Sequence, residues 1–404
     1  MGYLMYNTIN KLQGGEKMKI AVIGAGAAGL IASVIIKRTN HELALYEKQP
    51  RAARKLIATG NGRCNLTNID INLSRYHGDR DFASYALDTF NQYSLMDFME
   101  EMGVKCVYEG DKVFPYSLQA SSVADMLRLA EGECEICNTE VKKLKVYKNK
   151  IGVITDDKEE KYDRVIVCCG GKAASKLSGG GAYNLLTDLG HTLTPLKPSI
   201  VQLKCKNTKA LEGIKVNALV KMDKRQEMGE VLFTSYGLSG PPILQLSRDA
   251  KGKKIDLDLT PDLSFKEVEE FLVKKKKVKN LTLENLFTGF LNKKVGREIL
   301  KICNVLPFSK SCSEITNHEI KSLASKVKCL SFEIDDTNGF ENAQVTAGGI
   351  LCSEFNPLTM ESKKVKGLYA AGEMLDVDGD CGGFNLQWAF SSGYIAAINA
   401  IKED

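Results

Sequence analysis

Residues 19–48 read KIAVIGAGAAGLIASVIIKRTNHELALYEK, and this stretch decides the fold. The apolar run Ile20–Ile23 leads into the glycine turn GAGAAG at positions 24–29, which opens a helix. A second apolar run, Leu43–Tyr46, follows the helix and ends at Glu47. A strand, a glycine turn, a helix and a second strand in this order are typical of a βαβ unit in a parallel sheet. The alternative is a βαβ turn that has only a structural role.

Each glycine of this turn has a separate physical role. Gly24 permits the tight turn, Gly26 lets the backbone approach a pyrophosphate, and Gly29 lets helix and strand pack closely. The helix N-terminus offers free N–H groups and the positive end of its dipole to phosphates. Glu47 is placed to accept hydrogen bonds from a ribose, and the absence of a neighbouring arginine argues against a 2′-phosphate. The stretch therefore predicts a dinucleotide site.

The composition of the whole chain limits the remaining classes of protein. At 404 residues the chain has room for two or three domains, and its 44% hydrophobic and 26% charged residues are typical of a globular protein. A net charge of +5 is too small and diffuse to indicate nucleic acid by itself. No apolar run approaches the roughly 18 residues of a membrane span. The twelve cysteines are scattered, as in a cytoplasmic protein, which is the localisation we expect.

The segment that precedes the fold pattern, residues 1–17, lacks the apolar core and cleavage site of a signal peptide. Gln13-Gly14-Gly15 can be encoded by a bacterial ribosome-binding sequence just upstream of Met18. We therefore predict that Met18 is the native start and that residues 1–17 are a non-native leader. N-terminal sequencing of the native protein tests this hypothesis.

The character of the chain changes near Pro195–Pro198. From there to about Leu259, short alternating runs predict an antiparallel or barrel insertion. Residues 264–328 are helical and lysine-rich, and we interpret the run Lys274–Lys277 as a solvated helix face rather than a nucleic-acid or lipid patch. The α/β pattern returns at Gln344. Earlier in the chain, helical periodicity over Phe82–Met102 predicts one helix.

The C-terminal region repeats the order of elements seen in the opening stretch: a strand, a glycine turn and a helix. A strand at 367–373 leads to a second glycine turn, Cys381-Gly382-Gly383, and then to a helix of small residues over Ala389–Ala400. Two such turns suggest a ligand that lies across one sheet, with its pyrophosphate at the first turn and a reactive ring near the second. For a flavin, the positive helix end would stabilise the negative charge that reduction places on the ring.

Five long motifs resemble those of the YhiN-like flavoproteins, a family of NAD(P)/FAD-dependent oxidoreductases. Some members are named aminoacetone oxidase-like, and one branch is named for 3-dehydro-bile-acid Δ4,6-reduction. The resemblance runs from Met18 to the C-terminus. The motifs are KLIATGNGRCNLTN (55–68), KVFPYSLQASSV (112–123), FTSYGLSGPPIL (233–244), VTAGGI (345–350) and AAGEMLDVDGDCGGFNLQWAFSSG (370–393).

The resemblance implies an α/β fold, in which a Rossmann-type FAD-binding domain is interrupted by a β-barrel-like domain that itself carries a small helical domain. The expected boundaries follow the changes in sequence pattern. They are 18–194 and 344–404 for the FAD-binding domain, 195–262 for the barrel-like domain, 263–328 for the helical domain and 329–343 for a return strand of the insertion.

The resemblance also implies which residues hold FAD, while no metal site is expected. Those at the pyrophosphate and adenosine end are Gly24, Gly26, Ala27, Ala28, Gly29, Glu47 and Lys48. Those around the ribityl chain and the ring are Lys55, Thr59, Gly60, Asn61, Arg63, Cys64, Asn65, Gly170, Gly348, Gly372, Glu373, Asp376, Gly382, Gly383, Phe384, Asn385 and Leu386. The chain departs from the family pattern at Lys112, where arginine is usual, and at Cys381, where threonine is expected.

No motif in the sequence identifies the catalytic residue. The candidates are Cys381 in the second glycine turn, His77 as an acid or base, and Tyr236 in the insertion, each with a packing or turn role as its alternative. The Cys134–Cys137 pair is a CxxC, but it lies in an acidic strand with no partner pair for a metal.

The leading hypothesis is an FAD-dependent oxidoreductase in which NAD(P)H reduces the flavin. N5 then passes hydride to a small or steroid-like unsaturated acceptor. Only one GxGxxG module is present, so nicotinamide would bind transiently. The alternatives are an amine or aminoketone oxidase that uses oxygen, an RNA-modifying or RNA-binding flavoprotein, and a protein that holds FAD structurally. We expect a small-molecule substrate and neither a nucleic-acid nor a membrane partner, and the oligomeric state stays open.

Overall fold

The computed structural model describes residues 16–403. The hypothesis of a leader at residues 1–17 therefore falls outside the described residues, except for Glu16 and Lys17. The chain divides into two compact units. The first joins the chain up to Pro198 to the segment from Ala343 onward, and the second is Ser199–Asn342.

A five-stranded parallel sheet forms the centre of the first unit. Its strand order is Leu368–Ala370, Arg164–Val167, Lys19–Ile23, Glu42–Tyr46 and Glu135–Ile136. The register sets Ile23 opposite both Val167 and Tyr46, so the three carboxyl ends meet at one edge. Ligands of open α/β sheets bind at this edge, which is where the first glycine turn begins.

Smaller sheets and helices surround this sheet. The other strands of the first unit are Thr67–Asn68, Tyr76–Gly78, Cys106–Glu109, Lys112–Pro115, Lys143–Val146, Ile151–Ile154, Glu159–Tyr162, Lys197–Ser199, Val345–Ala347 and Val377–Gly379. The helices of the first unit are Ala27–Lys37, Arg54–Ala58, Arg80–Thr89, Gln92–Glu101, Ala120–Glu131, Ser175–Ser178, Asn184–Thr187 and Phe384–Ala400. The helices Ala27–Lys37 and Phe384–Ala400 are almost entirely buried, which explains why both are rich in small and apolar residues.

Two helix boundaries differ from the sequence-based predictions. The single helix expected over Phe82–Met102 is two helices, because the Asn91 side chain accepts hydrogen bonds from the N–H groups of Tyr93 and Ser94 and so caps a new helix. The last helix begins at Phe384, not at Ala389, since it starts directly after the glycine turn.

The second unit contains a closed six-stranded barrel. All its neighbouring strands are antiparallel. Around the barrel the strands are Leu203–Cys205, Gly237–Ser239, Arg225–Thr234, Lys215–Met222, Lys254–Asp258 and Leu330–Thr337. The first of these strands in the chain begins at Leu203.

Helices lie between the last two barrel strands in the chain. They are Phe265–Lys276, Lys293–Ile302 and Asn317–Lys328, and the unit also contains Pro241–Leu246 and Gly339–Asn342. Ser264, Asn292 and Thr316 cap the three longer helices through their side-chain oxygens. Buried helix residues such as Val268, Ile299 and Leu323 belong to the same apolar cluster as the barrel interior, so barrel and helices share one core. Within residues 16–403, no helix is long and apolar enough to cross a membrane.

Candidate functional site

The first glycine turn is sterically fixed at two of its three glycines. Gly24 has φ +100°, and a β-carbon there would lie 2.6 Å from the carbonyl oxygen of Cys168. A β-carbon on Gly29 would lie 1.8 Å from the carbonyl oxygen of Gly24. Helix and turn are therefore in backbone contact, as the glycine pattern predicts.

Gly26 has a different environment. A β-carbon built at Gly26 meets no described heavy atom within 4 Å, so the space beside it is open. Gly26 is the N-cap of the helix Ala27–Lys37, and no described side chain caps this helix end. The first-turn N–H groups and the open space together form a cradle that suits a pyrophosphate, and a side chain at Gly26 would fill it.

Glu47 lies directly behind this turn. Its carboxylate accepts hydrogen bonds from the N–H groups of Ala25 and Gln49, both at 2.8 Å. Burial raises the pKa of Glu47 above its usual value. A carboxylate offers about four acceptor positions, so capacity for ribose hydroxyls remains. The neighbouring Lys48 instead points to Glu140, with 2.5 Å between Nζ and Oε1.

Glu373 joins three predicted segments. Its Oε1 accepts a 2.7 Å hydrogen bond from the N–H of Thr346, and its Oε2 forms an ion pair with Lys55. A β-carbon on Gly171 would lie 2.5 Å from Glu373 Oε1, so this glycine makes room for the carboxylate. The 55–68 loop, the 345–350 segment and the 370–376 segment therefore meet at Glu373.

The second glycine turn contacts the 55–68 loop. The side-chain amide of Asn68 donates a 3.0 Å hydrogen bond to the carbonyl oxygen of Gly382. Gly383 has φ +104°, and a β-carbon there would lie 2.5 Å from the carbonyl oxygen of Thr67. Asn385 holds the turn from the other side, because its side chain donates to and accepts from the backbone of Gly379, both at 2.8 Å.

The second turn also ends in an open helix terminus. Gly383 is the N-cap of Phe384–Ala400, and no described side chain caps this end. The helix packs on the first glycine turn's helix so closely that a β-carbon on Gly393 would lie 2.4 Å from the carbonyl oxygen of Ala28. Two uncapped helix N-termini thus occur on helices in direct contact within one unit.

Known proteins match nearly the whole length of the chain. The family described as "HI0933-like protein Rossmann domain" matches residues 18–399. A 3-dehydro-bile acid delta(4,6)-reductase of Clostridium scindens is 35% identical over 407 residues, covering 95% of this chain and 99% of that protein.

The chain belongs to the HI0933-like Rossmann family. A ribosomal RNA dihydrouridine synthase of Escherichia coli is 26% identical over 402 residues, covering 96% of this chain and 98% of that protein. Among solved structures, the 3-ketosteroid-delta4-(5alpha)-dehydrogenase of Rhodococcus jostii is 14% identical with a TM-score of 0.49, over 96% of this chain and 98% of that one.

Membership in the HI0933-like family confirms the resemblance seen in the motifs. The predicted fold class is also confirmed: a Rossmann-type FAD-binding domain is interrupted in the chain by a closed barrel that carries helices.

Within the 55–68 loop, the predicted residues have different surroundings. The turn at Gly60 and Asn61 is left-handed, with φ +58° and +57°. Burial raises the pKa of the Cys64 thiol to about 12, which fits a packed thiol better than a nucleophile. The Arg63 guanidinium lies 4.4 Å from the Phe114 ring centroid and pairs with Glu109. Asn65 has a buried Oδ1 for which no partner exists among residues 16–403, so an acceptor is left for a bound group.

Tyr183 is a residue that the sequence reasoning missed. Its hydroxyl is buried and donates no hydrogen bond to a described residue, although the backbone N–H of Lys172 approaches it. Burial raises the pKa of Tyr183, and the charges of Glu373 and Asp376 raise it further. The hydroxyl is therefore a neutral donor close to two predicted cofactor residues. The preceding run Gly179-Gly180-Gly181 was the available sequence signal.

The three catalytic candidates lie in different places. His77 Nε2 lies 2.8 Å from Asp380 Oδ1, directly before the second glycine turn, and Arg75 Nη1 lies 3.6 Å from the same carboxylate. Burial raises the pKa of Cys381. Tyr236 belongs to the second unit, where it is 40% exposed in the hairpin turn between two barrel strands.

Two further glycines that were predicted to contact FAD both have positive φ but differ in the space beside them. Gly348 has φ +88°, and a β-carbon there would lie 2.4 Å from the carbonyl oxygen of Pro195. Gly170 has φ +67° with open space beside it.

In the CxxC segment, Cys134 Sγ lies 2.7 Å from Glu131 Oε2, and burial raises the pKa of Cys134 to about 12, so this thiol stays protonated.

Proposed function

We propose that this protein is an FAD-dependent reductase that saturates a carbon–carbon double bond conjugated to a carbonyl group. The observation that carries the proposal is the pair of uncapped helix N-termini, at Gly26 and Gly383, on two helices in contact within one Rossmann unit. Two such ends suit a ligand with a pyrophosphate at one end and a ring that gains negative charge at the other.

What two relatives have in common supports the proposed acceptor class. A delta(4,6)-reductase of a 3-dehydro bile acid acts on double bonds conjugated to a ketone. A dihydrouridine synthase produces a uracil ring whose conjugated double bond has been reduced. Both names describe hydride addition to the same electronic pattern. The greater similarity to the bile acid enzyme favours a small or steroid-like acceptor.

The geometry of the first glycine turn supports a proposal for the residues that would hold FAD. Gly26 and the helix after it would receive the pyrophosphate, and Glu47 the adenosine ribose. The unpartnered Asn65 Oδ1 and Tyr183 hydroxyl supply one acceptor and one donor for the rest of the cofactor. FAD would supply the hydride through its ring, with NAD(P)H as the proposed source of electrons.

Saturating a conjugated double bond requires a proton as well as a hydride. The hydride adds to the carbon remote from the carbonyl, and the neighbouring carbon then takes a proton. We propose that His77 donates this proton from Nδ1, because Asp380 engages Nε2 and fixes the orientation of the ring. The His77 side chain is 27% exposed, so water can return the proton.

The proton donor is tested with His77→Asn. General acids contribute about 10²–10⁴-fold, so we expect kcat for a steroid 4,6-dien-3-one to fall by about 10²-fold with bound FAD unchanged. The acid–base limb of the pH–rate profile should disappear in the variant. An unchanged profile would remove His77 from the mechanism.

An anaerobic titration of the yellow protein with NADH and NADPH in parallel tests the proposed function. We expect one of the two to bleach the flavin and the dien-3-one to restore its colour in a stoichiometric step. Bleaching by neither nicotinamide would contradict a reductase. Fast recovery in air together with no recovery by the dien-3-one would favour the oxidase alternative.

A second candidate acceptor is a uracil base within RNA. The observation that favours it is a cavity in the helical part of the second unit whose lining includes Lys276, Lys277 and Lys279, which a steroid reductase does not require.

A further inference from the structure

Two buried carboxyl groups meet in the CxxC segment, at the end of the helix Ala120–Glu131. Glu131 is fully buried, and the side chain of Glu135 is only 4% exposed. Glu135 lies in the strand Glu135–Ile136, which forms one edge of the five-stranded sheet. Burying carboxyl groups is costly unless each one is paired, so their partners decide what they can do.

Each carboxyl group finds donors for only one of its oxygens. Glu131 Oε2 accepts a hydrogen bond from the Cys134 thiol at 2.7 Å and another from the Cys134 N–H at 3.3 Å. Glu135 Oε1 accepts a hydrogen bond from the Arg128 side chain. The other two oxygens, Glu131 Oε1 and Glu135 Oε2, are buried, and no donor in the described part of the chain reaches them when both groups are ionised.

A proton between the two carboxyl groups supplies the missing donor. Glu131 and Glu135 hydrogen-bond to each other, which requires a proton because two carboxylates offer only acceptors. Burial, together with the contact with Glu135, raises the pKa of Glu131 to about 7. Burial alone would also raise the pKa of Glu135, but the hydrogen bonds from Glu131 and Arg128 hold it below its ordinary value. The pair therefore holds one proton in moderate acid and loses it near neutral pH.

The charged groups around the pair cannot replace this proton. In residues 16–403, Arg128 is the only cation that forms an ion pair with either glutamate. Its guanidinium is shared with the carboxylates of Asp125 and Glu133, at 3.9 Å and 4.0 Å. Lys37, on the helix of the first glycine turn, has its charge near the Cys134 thiol. Two ionised glutamates would therefore face one bonded cation whose charge is already divided.

The edge strand connects the pair to the proposed ribose site. The strand Glu135–Ile136 pairs with Glu42–Tyr46 over only two positions. The N–H of Glu47 donates to the carbonyl oxygen of Ile136 at 3.0 Å, and the N–H of Thr139 donates to the carbonyl oxygen of Glu47 at 2.9 Å. Both backbone groups of Glu47 are therefore bonded to the segment that follows the carboxyl pair.

We propose that the proton shared by Glu131 and Glu135 is a pH switch on the edge of the sheet. With the proton in place, the pair fastens the strand Glu135–Ile136. When rising pH removes the proton, two adjacent buried charges repel, and a strand paired at two positions opens before the rest of the sheet. Opening frees the backbone of Glu47 and so weakens the binding of FAD. The switch itself is independent of the reductase activity, whereas its effect on FAD rests on the proposed function.

Hydrogen exchange of the full-length protein, followed by mass spectrometry at about pH 5.5 and about pH 8.5, tests the switch. After correction for intrinsic exchange rates, protection of the peptides that contain Glu47 and Thr139 should fall at least about tenfold at the higher pH, because the closed strand holds the Glu131 proton more tightly. Glu131→Gln keeps a neutral donor to Glu135, so its protection should stay high at both pH values. The matched control is Glu133→Gln, which removes an exposed carboxylate nearby and should behave as the wild type does.

Titration with FAD at the same two pH values measures the coupling. The ratio of the dissociation constants of wild type and Glu131→Gln should rise about threefold at the higher pH, as for a strand that is open about two-thirds of the time, and this ratio cancels every titration that the two proteins share. A constant ratio would overturn the coupling to FAD.

The exchange data judge the switch separately. Equal protection at both pH values in the wild type, or a fall that persists in Glu131→Gln, would overturn the switch and leave the FAD site intact. A fall in protection that Glu131→Gln abolishes, in a protein that binds no FAD at either pH, would support the switch and contradict the proposed function.

Discussion

The two glycine turns of the first unit end in the same feature, an uncapped helix N-terminus, but they are built differently. The first has its tightest contact within its own motif, since Gly29 packs against the carbonyl oxygen of Gly24, although Gly24 also packs against the distant Cys168. The second depends on distant residues: Gly383 packs against Thr67, and Thr67 hydrogen-bonds to Gln387, 320 positions away. A turn whose contacts are local can be read from a sequence, whereas one held by remote partners needs the fold.

The largest effect should come from the first turn. In Gly29→Ala the new β-carbon would meet backbone at 1.8 Å, so we expect a loss of at least about 3 kcal/mol in the free energy of unfolding. Gly26→Ala is the matched variant, because it has open space: it should unfold at the wild-type denaturant concentration but bind FAD weakly. Wild-type FAD affinity in Gly26→Ala would contradict the pyrophosphate cradle.

The second turn offers a similar pair. Gly383→Ala combines a positive φ with a 2.5 Å approach to backbone, and should cost about 3 kcal/mol. Gly382→Ala shares the positive φ but meets nothing nearer than 3.6 Å, so we expect only about 1–2 kcal/mol. Urea unfolding of both variants measures the difference. Equal costs would mean that the contact with Thr67 does not constrain the turn.

Removing one remote contact tests the difference between the turns directly. In Thr67→Val the buried Oε1 of Gln387 loses a 2.6 Å hydrogen bond, which should cost about 1–3 kcal/mol. The counterpart in the first turn is Ser33→Ala, because Ser33 donates to the carbonyl oxygen of Gly29, a group that also lies within the helix ladder. We expect less than about 1 kcal/mol there. A larger loss in Ser33→Ala would reverse the comparison.

The smallest effect should be a pH dependence at Glu47. Because burial raises its pKa in the folded protein, stability decreases as the pH rises from the ordinary value towards that raised pKa. The affinity for FAD should instead increase as the pH rises, because a ribose hydroxyl bonds more strongly to the carboxylate than to the carboxylic acid. The dissociation constant should therefore rise about fivefold as the pH falls through the raised pKa, and Glu47→Gln should abolish that change. A calorimetric pH series measures both signs.

Local patterns were sufficient for much of the fold. Short-range steric demands predicted the βαβ unit, and alternating runs such as Val216–Met222 predicted the barrel. The break at Asn91 was missed because an apolar period continues across it, although the capping side chain starts a new helix. The contact between Asn68 and Gly382 could not be predicted, and the glycines before Tyr183 did not indicate its surroundings, since both depend on segments far apart in the chain.

The central claim is that one FAD molecule reaches both glycine turns. Calorimetric titration of the FAD-free protein with FAD, FMN and ADP tests it most directly, because FMN lacks the adenosine end and ADP lacks the ring. The account predicts that FAD binds far more tightly than either fragment, and that Gly26→Ala weakens FAD and ADP but not FMN. Equal affinity for FMN and FAD, or tighter binding of NAD than of FAD, would contradict it.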